Sequence, residues 1–301
     1  MNVSVIIPSF NGKKLLEKYL PSVQQSLDED DEIIVVDDCS SDGTAEYLKN
    51  RYPSIKVVQN TPNKRFAYSC NQGVKEAKKE YCVLLNNDVQ PTAGFLSPLI
   101  DHLKKSDQIF AIGCLEKNID GKLSGRSGGD FRRGSLVHWR AKDQQQNSTL
   151  WTSGGSMAFR KSIWIKLGGM DELFAPAYWE DIDICYRAVK SGYEIGFEPQ
   201  SLVFHQHETT NKKALGVLAL QAAGYKNMFL FFWKNVSTSS LWLSHLFWLP
   251  YHLIIGGFRS HGLLTLGFFQ ACMQLPQLFQ HKKQANEKWI LSDFEVIEKS
   301  R

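Results

Sequence analysis

The stretch Trp179-Glu180-Asp181-Ile182-Asp183-Ile184-Cys185-Tyr186-Arg187 sets three carboxylates within four positions, beside two aromatic rings and a guanidinium. Ile182, Ile184 and Tyr186 interleave with the acids, so this is not a solvated acidic loop. A carboxylate withdrawn from water is costly unless it has a partner or a task. At helical spacing Asp183 and Arg187 form an i, i+4 pair, which predicts a structural ion pair. Asp181 then lies in the first turn of a helix predicted from about residue 180 to residue 191, free to point into a cleft. The helix dipole would keep it ionised, the state in which a carboxylate can take a proton from a hydroxyl group. Glu180 stands beside it as a supporting acid. The competing reading is that both acids merely favour a helix start, and only other groups converging on the same cleft decide between the two.

The elements that must position these acids begin at the N-terminus. Residues 3–7, 33–36, 55–58 and 81–85 are short β-branched or apolar runs, and helical patterns alternate with them. This β-α-β rhythm predicts an α/β fold, an open, mostly parallel sheet with helices on both faces. Ligands bind such sheets beyond the carboxyl ends of the strands. Three polar clusters stand at those ends: Pro8 to Asn11, the run that begins Asp37-Asp38, and Asn86-Asn87-Asp88. Their acids and amides suit a ribose hydroxyl, a base N–H or a divalent cation on a diphosphate. No G-x-G-x-x-G and no G-x-x-x-x-G-K-[ST] is present, which leaves a dinucleotide site or a P-loop unsupported. Residues 121–134, rich in Gly, Ser and Arg (Arg126, Arg132, Arg133), read as a mobile loop. Gly154 and Gly155 would let backbone approach a ligand, or simply form a tight turn. After a strand at 193–197 and a turn at Pro199, Leu202-Val203-Phe204 leads directly to His205, a candidate metal ligand, with His207 second to it.

In a chain of 301 residues, 43% hydrophobic and 22% charged, there is room for a large domain and an appendage. The net charge of +4 is uneven, because after residue 210 ten lysines and arginines face four acids. Residues 235–258 and 260–281 carry no Asp, Glu, Lys or Arg, but Pro250 and Pro276 interrupt them and His245, His252, Gln270 and Gln274 recur at helical spacing. A polar stripe on an apolar helix predicts seating on a membrane surface more than crossing it. Trp233, Trp242 and Trp248 suit the interface and Lys282-Lys283 anionic headgroups. A helical subdomain packed on the core, a dimer interface or a two-span hairpin are the alternatives. The division expected is therefore residues 1–210, catalytic, and residues 211–301, helical and membrane-associating. Six scattered cysteines without C-x-x-C spacing predict reduced thiols, and residues 1–20 show no secretion signal. Nothing in the charge pattern calls for nucleic acid.

With these pieces in place, residues 1–210 resemble an inverting glycosyltransferase of family 2 with the GT-A fold, closest in character to rhamnosyltransferase-like members that build bacterial polysaccharides. The resemblance is carried by V-S-V-I-I-P-S-F-N at 3–11, V-V-D-D-C-S-S-D-G-T at 35–44, Asn63, Phe66, Ala67, Asn71 and Gly73, L-L-N-N-D-V at 84–89, S-G-G at 153–155, W-E-D-I-D-I-C-Y-R at 179–187 and V-F-H at 203–205. It implies that Pro8, Asn11 and Asp38, supported by Asp37, hold a uracil or thymine nucleoside, with Asn71 and Asn87 also on the nucleotide sugar. It further implies that Asp88 and His205 bind Mg²⁺ or Mn²⁺ on the donor diphosphate, that Gly154 and Gly155 lie against donor sugar or acceptor, and that Asp181 is the general base, with Glu180 near the acceptor. Two departures stand out: Asn86 where an acid often opens the D-x-D motif, and Arg65 where glycine is common. The expected partners are a nucleoside-diphosphate-sugar and a saccharide or lipid-linked acceptor, at the cytoplasmic face of a bacterial inner membrane, with oligomerisation open. A non-catalytic nucleotide-sugar-binding scaffold is the alternative, and a sugar-nucleotide pyrophosphorylase lacks its phosphate loop here.

Overall fold

The computed structural model describes residues 2–206, 215–284 and 289–301. His207 and the expected boundary at residue 210 lie outside the described residues. The β-branched runs form strands β1 (Val3–Ser9), β2 (Glu32–Asp37), β3 (Lys56–Gln59) and β4 (Tyr81–Leu85). They join β5 (Val89–Pro91), β6 (Ile109–Lys117), β7 (Leu123–Ser124), β10 (Ser156–Arg160) and β11 (Glu194–His205) in one sheet. Its order is β3-β2-β1-β4-β10-β6-β11-β5, with β7 on β6. β1–β4 run parallel, and β6 and β11 are parallel to each other, while β10 is antiparallel to both its neighbours and β5 is antiparallel to β11. The sheet is thus mixed and mostly parallel, with the long connections that parallel strands require supplied by helices.

Side-chain alternation along the strands feeds two cores. Val3, Val5 and Ile7 pack with helices α1 (Lys13–Gln25), α2 (Thr44–Arg51) and α4 (Leu96–Leu103). Ile6, Ile34 and Val36 face α3 (Arg65–Glu76), α5 (Lys161–Lys166) and α6 (Glu180–Lys190) on the other side. Helices on both faces is what the sequence rhythm predicts.

Residues 121–134 are not a loose loop. β8 (Ser127–Arg132) and β9 (Ser135–Arg140) form a hairpin. Its two-residue turn is Arg133-Gly134, both left-handed (φ 49° and 69°), the geometry that matches strand twist. Arg126 is buried, its guanidinium bonded to the Asp143 and Ser148 carbonyls at 3.0 and 2.6 Å. A Cβ on Gly134 would fall 2.3 Å from the Cα of His245, so glycine allows the turn to seat directly on a helix.

The main helices after residue 215 are α7 (Val217–Asn235), α8 (Ser239–Tyr251), which continues through a π-helical turn at His252–Gly256 and a helical turn at Gly257–Arg259, α9 (Leu263–Met273), α10 (Leu275–Gln284) and α11 (Asp293–Lys299). A third core of Trp179, Ile182, Tyr186, Phe229, Leu230, Phe231 and Val296 joins α6 to α7 and α11. α6 is therefore enclosed between the sheet and these helices, and every residue on it except Asp181 is buried. Of the polar stripe, His245 turns fully inward, while His252, Gln270 and Gln274 are half-buried. His245 is 1% exposed, stacks on Phe232 with ring centroids 4.2 Å apart, and receives the Trp233 indole N–H at 3.1 Å. No described helix is long and apolar enough to cross a membrane.

Candidate active site

A cavity of about 360 Å³ opens where the carboxyl ends of β1, β2 and β4 meet the start of α6. Pro8, Asp38, Asn87, Asp88, Gly154, Gly155, Glu180, Asp181 and His205, all singled out in the sequence, line it together. Ser9, Phe10, Asn63, Arg65, Phe66, Asn86, Trp151 and Tyr178 line it too. Asn11, Asp37 and Asn71 do not. The Asn11 Oδ1 accepts the Ser41 N–H at 2.8 Å, tying together the loops that leave β1 and β2. Asp37 is 1% exposed and accepts the Ser40 N–H at 3.2 Å. Asn71 clips the Met170 backbone in both directions, at 2.8 and 3.0 Å. Short amides and acids at strand ends bond to nearby backbone as readily as to ligands, and pattern alone does not separate the two uses.

Asp38 sits between these roles. Its Oδ1 accepts from the Asn60 amide and the Lys64 N–H, and its Oδ2 from the Arg65 N–H, all at 2.8 Å. That fixes the loop at 60–65 as the edge of the cavity. Arg65 has φ 75°, the left-handed region that glycine adopts most readily.

Asp181 is held by backbone. Its Oδ2 accepts the Gly154 N–H at 3.3 Å and its Oδ1 the Ile182 N–H at 2.8 Å. Burial pushes its carboxyl up to about 6 despite these two donors. Desolvation outweighs the helix start expected to keep it ionised, raising the group, which still ionises mostly below neutral pH. Glu180 is pushed further, to about 8, by burial and then by the Asp181 charge. Its Oε2 has no hydrogen-bond partner among the described residues. Burial and their mutual repulsion thus favour one shared proton on the pair near neutral pH, held more firmly by Glu180.

This raised value has a consequence for stability. The folded chain holds the Glu180 proton between its ordinary 4.5 and about 8, where the unfolded chain releases it. Stability from this site is therefore complete below about 4.5 and declines as pH rises through about 8. Glu180→Gln is expected to gain a few kcal/mol over wild type at pH 9, at roughly 1.4 kcal/mol per pKa unit, and little at pH 4. Urea denaturation at the two pH values measures it; equal gains at both would mean that the carboxyl is not titrating in this window.

Asp88 and His205 meet at the cavity wall, Oδ1 to Nε2 3.3 Å. Glu116, unremarked in the sequence, completes the arrangement from β6. Its Oε2 is 3.4 Å from the His205 Nδ1, and its Oε1 accepts the Ser156 hydroxyl at 2.5 Å. Burial would lower the imidazole, but Asp88 and Glu116 outweigh it and raise His205 to about 10. A Cβ on Gly155 would come within 2.6 Å of the Asn86 amide and 3.3 Å of the His205 ring, so glycine is required for this close packing. No cluster of three or more His, Cys, Asp or Glu able to hold a metal occurs among the described residues. Yet the Asp88 carboxylate suits Mg²⁺ or Mn²⁺ when substrate phosphates and water supply the remaining ligands, and His205 would join it as a ligand only as the neutral imidazole, having given up the proton that Asp88 and Glu116 favour.

The model of a family described as Glycosyl transferase family 2 matches residues 4–168. The N-acetylglucosaminyl-diphospho-decaprenol L-rhamnosyltransferase of Mycobacterium tuberculosis is 23% identical over 258 residues, covering 75% of this chain and 82% of that protein. Among solved structures, GalNAc-T7 with UDP, GalNAc and Mn²⁺ superposes with TM-score 0.62 at 19% identity, over 78% of this chain and 48% of that one. TarS 1-349 of S. aureus in complex with UDP-GlcNAc superposes with TM-score 0.59 at 18% identity, over 84% and 73%. These likenesses bear out the GT-A-like fold.

Proposed function

The chain belongs to glycosyl transferase family 2, and from that premise we propose that it moves a sugar from a UDP- or dTDP-linked donor to a saccharide or lipid-linked saccharide acceptor, inverting the anomeric centre. The observation that carries the reading is Asp181. It is the one residue of α6 not fully buried, and it lines the same cavity as Asp88 and His205. Asp38 and the backbone at 64–65 frame the nucleoside end, and Pro8 and Phe10 form its floor. Asp88 and His205 would hold Mg²⁺ or Mn²⁺, which neutralises charge building on the departing diphosphate. Asp181 takes the acceptor hydroxyl proton as that oxygen attacks the anomeric carbon from the face opposite the diphosphate. Glu180, carrying its proton, donates a hydrogen bond to a sugar oxygen. A single displacement needs no nucleophile on the protein.

The test is transfer in vitro. Purified chain is incubated with UDP- and dTDP-sugars, Mn²⁺ and a polyprenyl-diphosphate saccharide, and nucleoside diphosphate release and the product's anomeric configuration are read. Donor binding without release under any combination would favour the scaffold reading; retention of configuration would exclude the single displacement.

The same reading places the protein on a membrane surface. Leu243, Phe247, Ile254 and Phe258 project outward from α8 and its continuation, and Leu266, Phe269 and Met273 from α9. Phe247 is 76% and Phe258 87% exposed, and Arg259 and Lys282 stand exposed in the same helical region. Apolar patches of this kind mark interaction sites, and flanking cations suit anionic headgroups. Wild-type protein is expected to float with vesicles containing phosphatidylglycerol, and Phe247→Asp/Phe258→Asp to remain at the bottom of the gradient with unchanged Tm. Wild-type protein that stays with the soluble fraction would remove the membrane from the reading.

A further inference from the structure

The loop at residues 174–178 runs directly into Trp179, Glu180 and Asp181, and Pro176, Ala177 and Tyr178 form one wall of the cavity. Its backbone is under load. Tyr178 and Trp179 have φ of 72° and 81°, the left-handed region, which costs a non-glycine residue about 1 kcal/mol or more each. Nothing local supplies that cost, and no side chain caps α6. The support comes from α7, some fifty residues downstream. Asn227 is fully buried, and its Nδ2 donates to three carbonyls of the loop, Phe174 at 2.6 Å, Tyr178 at 2.8 Å and Ala177 at 3.0 Å. The neighbouring Lys226 donates from Nζ to the Ala175 carbonyl at 2.5 Å. Two consecutive residues thus hold four of the five carbonyls of this loop. The Asn227 Oδ1 has no partner among the described residues, a cost of burial. An amide kept there at that cost is kept for what its N–H groups hold.

We propose that Asn227 is a positioning residue for transfer: through the carbonyls of residues 174–178 it fixes the left-handed entry to α6, and with it the direction of Asp181 and the wall the acceptor meets. Asn227 touches neither donor nor acceptor. The helices after residue 215 therefore complete the active site from behind. This rests on the reading of Asp181 as base.

The experiment is a double-mutant cycle on the full chain, with steady-state kinetics and donor affinity by calorimetry. Asn227→Ala is expected to lower kcat about 10²-fold, the scale of a misplaced reacting group, while donor affinity stays close to wild type. In an Asp181→Asn background the same substitution should cost nothing further, because the base it aligns is already gone. Lys226→Met, which gives up one of the four carbonyls, should show a smaller loss of the same kind and serves if Asn227→Ala does not fold. Equal losses in both backgrounds, or loss of donor affinity in step with kcat, would overturn the proposal. Undiminished turnover in Asp181→Asn alone would instead overturn the reading of the base, a result visible before Asn227 is changed.

Discussion

Asp181→Asn is expected to lower kcat by about 10²–10⁴-fold, the usual contribution of a positioned general base, while donor affinity stays near wild type. The amide keeps the size of the carboxylate, and with its oxygen turned to the Ile182 N–H at 2.8 Å it gives up only the longer Gly154 contact at 3.3 Å, so the cavity should be little disturbed. What it cannot do is accept a proton from the acceptor. The pH profile gives an independent sign. Asp181 must be unprotonated to act, and burial holds it near 6, so wild-type kcat/KM should rise with pH through about 6 and hold until Glu180 gives up its proton near 8. The residual activity of the variant should lack that limb. Parallel profiles, or turnover close to wild type, would take the proton transfer away from Asp181.

The second large effect concerns stability. Asp183 is fully buried and accepts from the Arg187 Nε at 2.7 Å, from the Lys234 Nζ at 2.9 Å and from the Asn235 amide at 2.8 Å. Lys234 also pairs with Asp171 at 2.6 Å. Burial alone would raise the Asp171 carboxyl, but Lys234 and His281 hold it well below the usual carboxylate range. Removing one partner from such a cluster leaves a buried charge uncompensated, at about 3–5 kcal/mol. Asp183→Ala is therefore expected to cost at least that much in urea unfolding, since two buried cations lose their common acceptor. A loss below about 1 kcal/mol, the scale of exposed pairs, would mean that water reaches the cluster.

Much of the site could be read in advance because each half of the message was local. β-branched runs marked strands, and the polar groups that ended them were forced to the same edge of the sheet. The i, i+4 spacing of Asp183 and Arg187 gave their ion pair at once. Their third partner, Lys234, lies 51 residues from Asp183 and leaves no local trace. Glu116 was silent for the same reason: it ends the apolar run at 109–115 and reveals itself only when β11 brings His205 alongside. The hairpin was missed because its turn opens on Arg133, where Asn or Asp is the usual sign of that geometry. In the C-terminal region, periodicity locates the stripe of His245 but not the direction it faces, since polar side chains turn to water or to buried partners with the same spacing. Asn11, past the end of β1, Asp37, at the end of β2, and Asn71, within α3, show the converse: their side chains bond backbone outside the cavity lining.

The enclosure of α6 also governs when, during its own synthesis, this protein could become competent. The sheet and the nucleotide-facing loops are encoded in the first two thirds of the chain and can close as they emerge, since domains form from the N-terminus during translation. The helix that carries the acid pair cannot. Lys190 at its far end awaits Asp293, 103 positions later, and Tyr186 awaits the same carboxylate at 2.7 Å. α11, made long after α6, is thus among the helices that seal it, and a nascent chain would hold a framed cavity before Asp181 was settled at its wall.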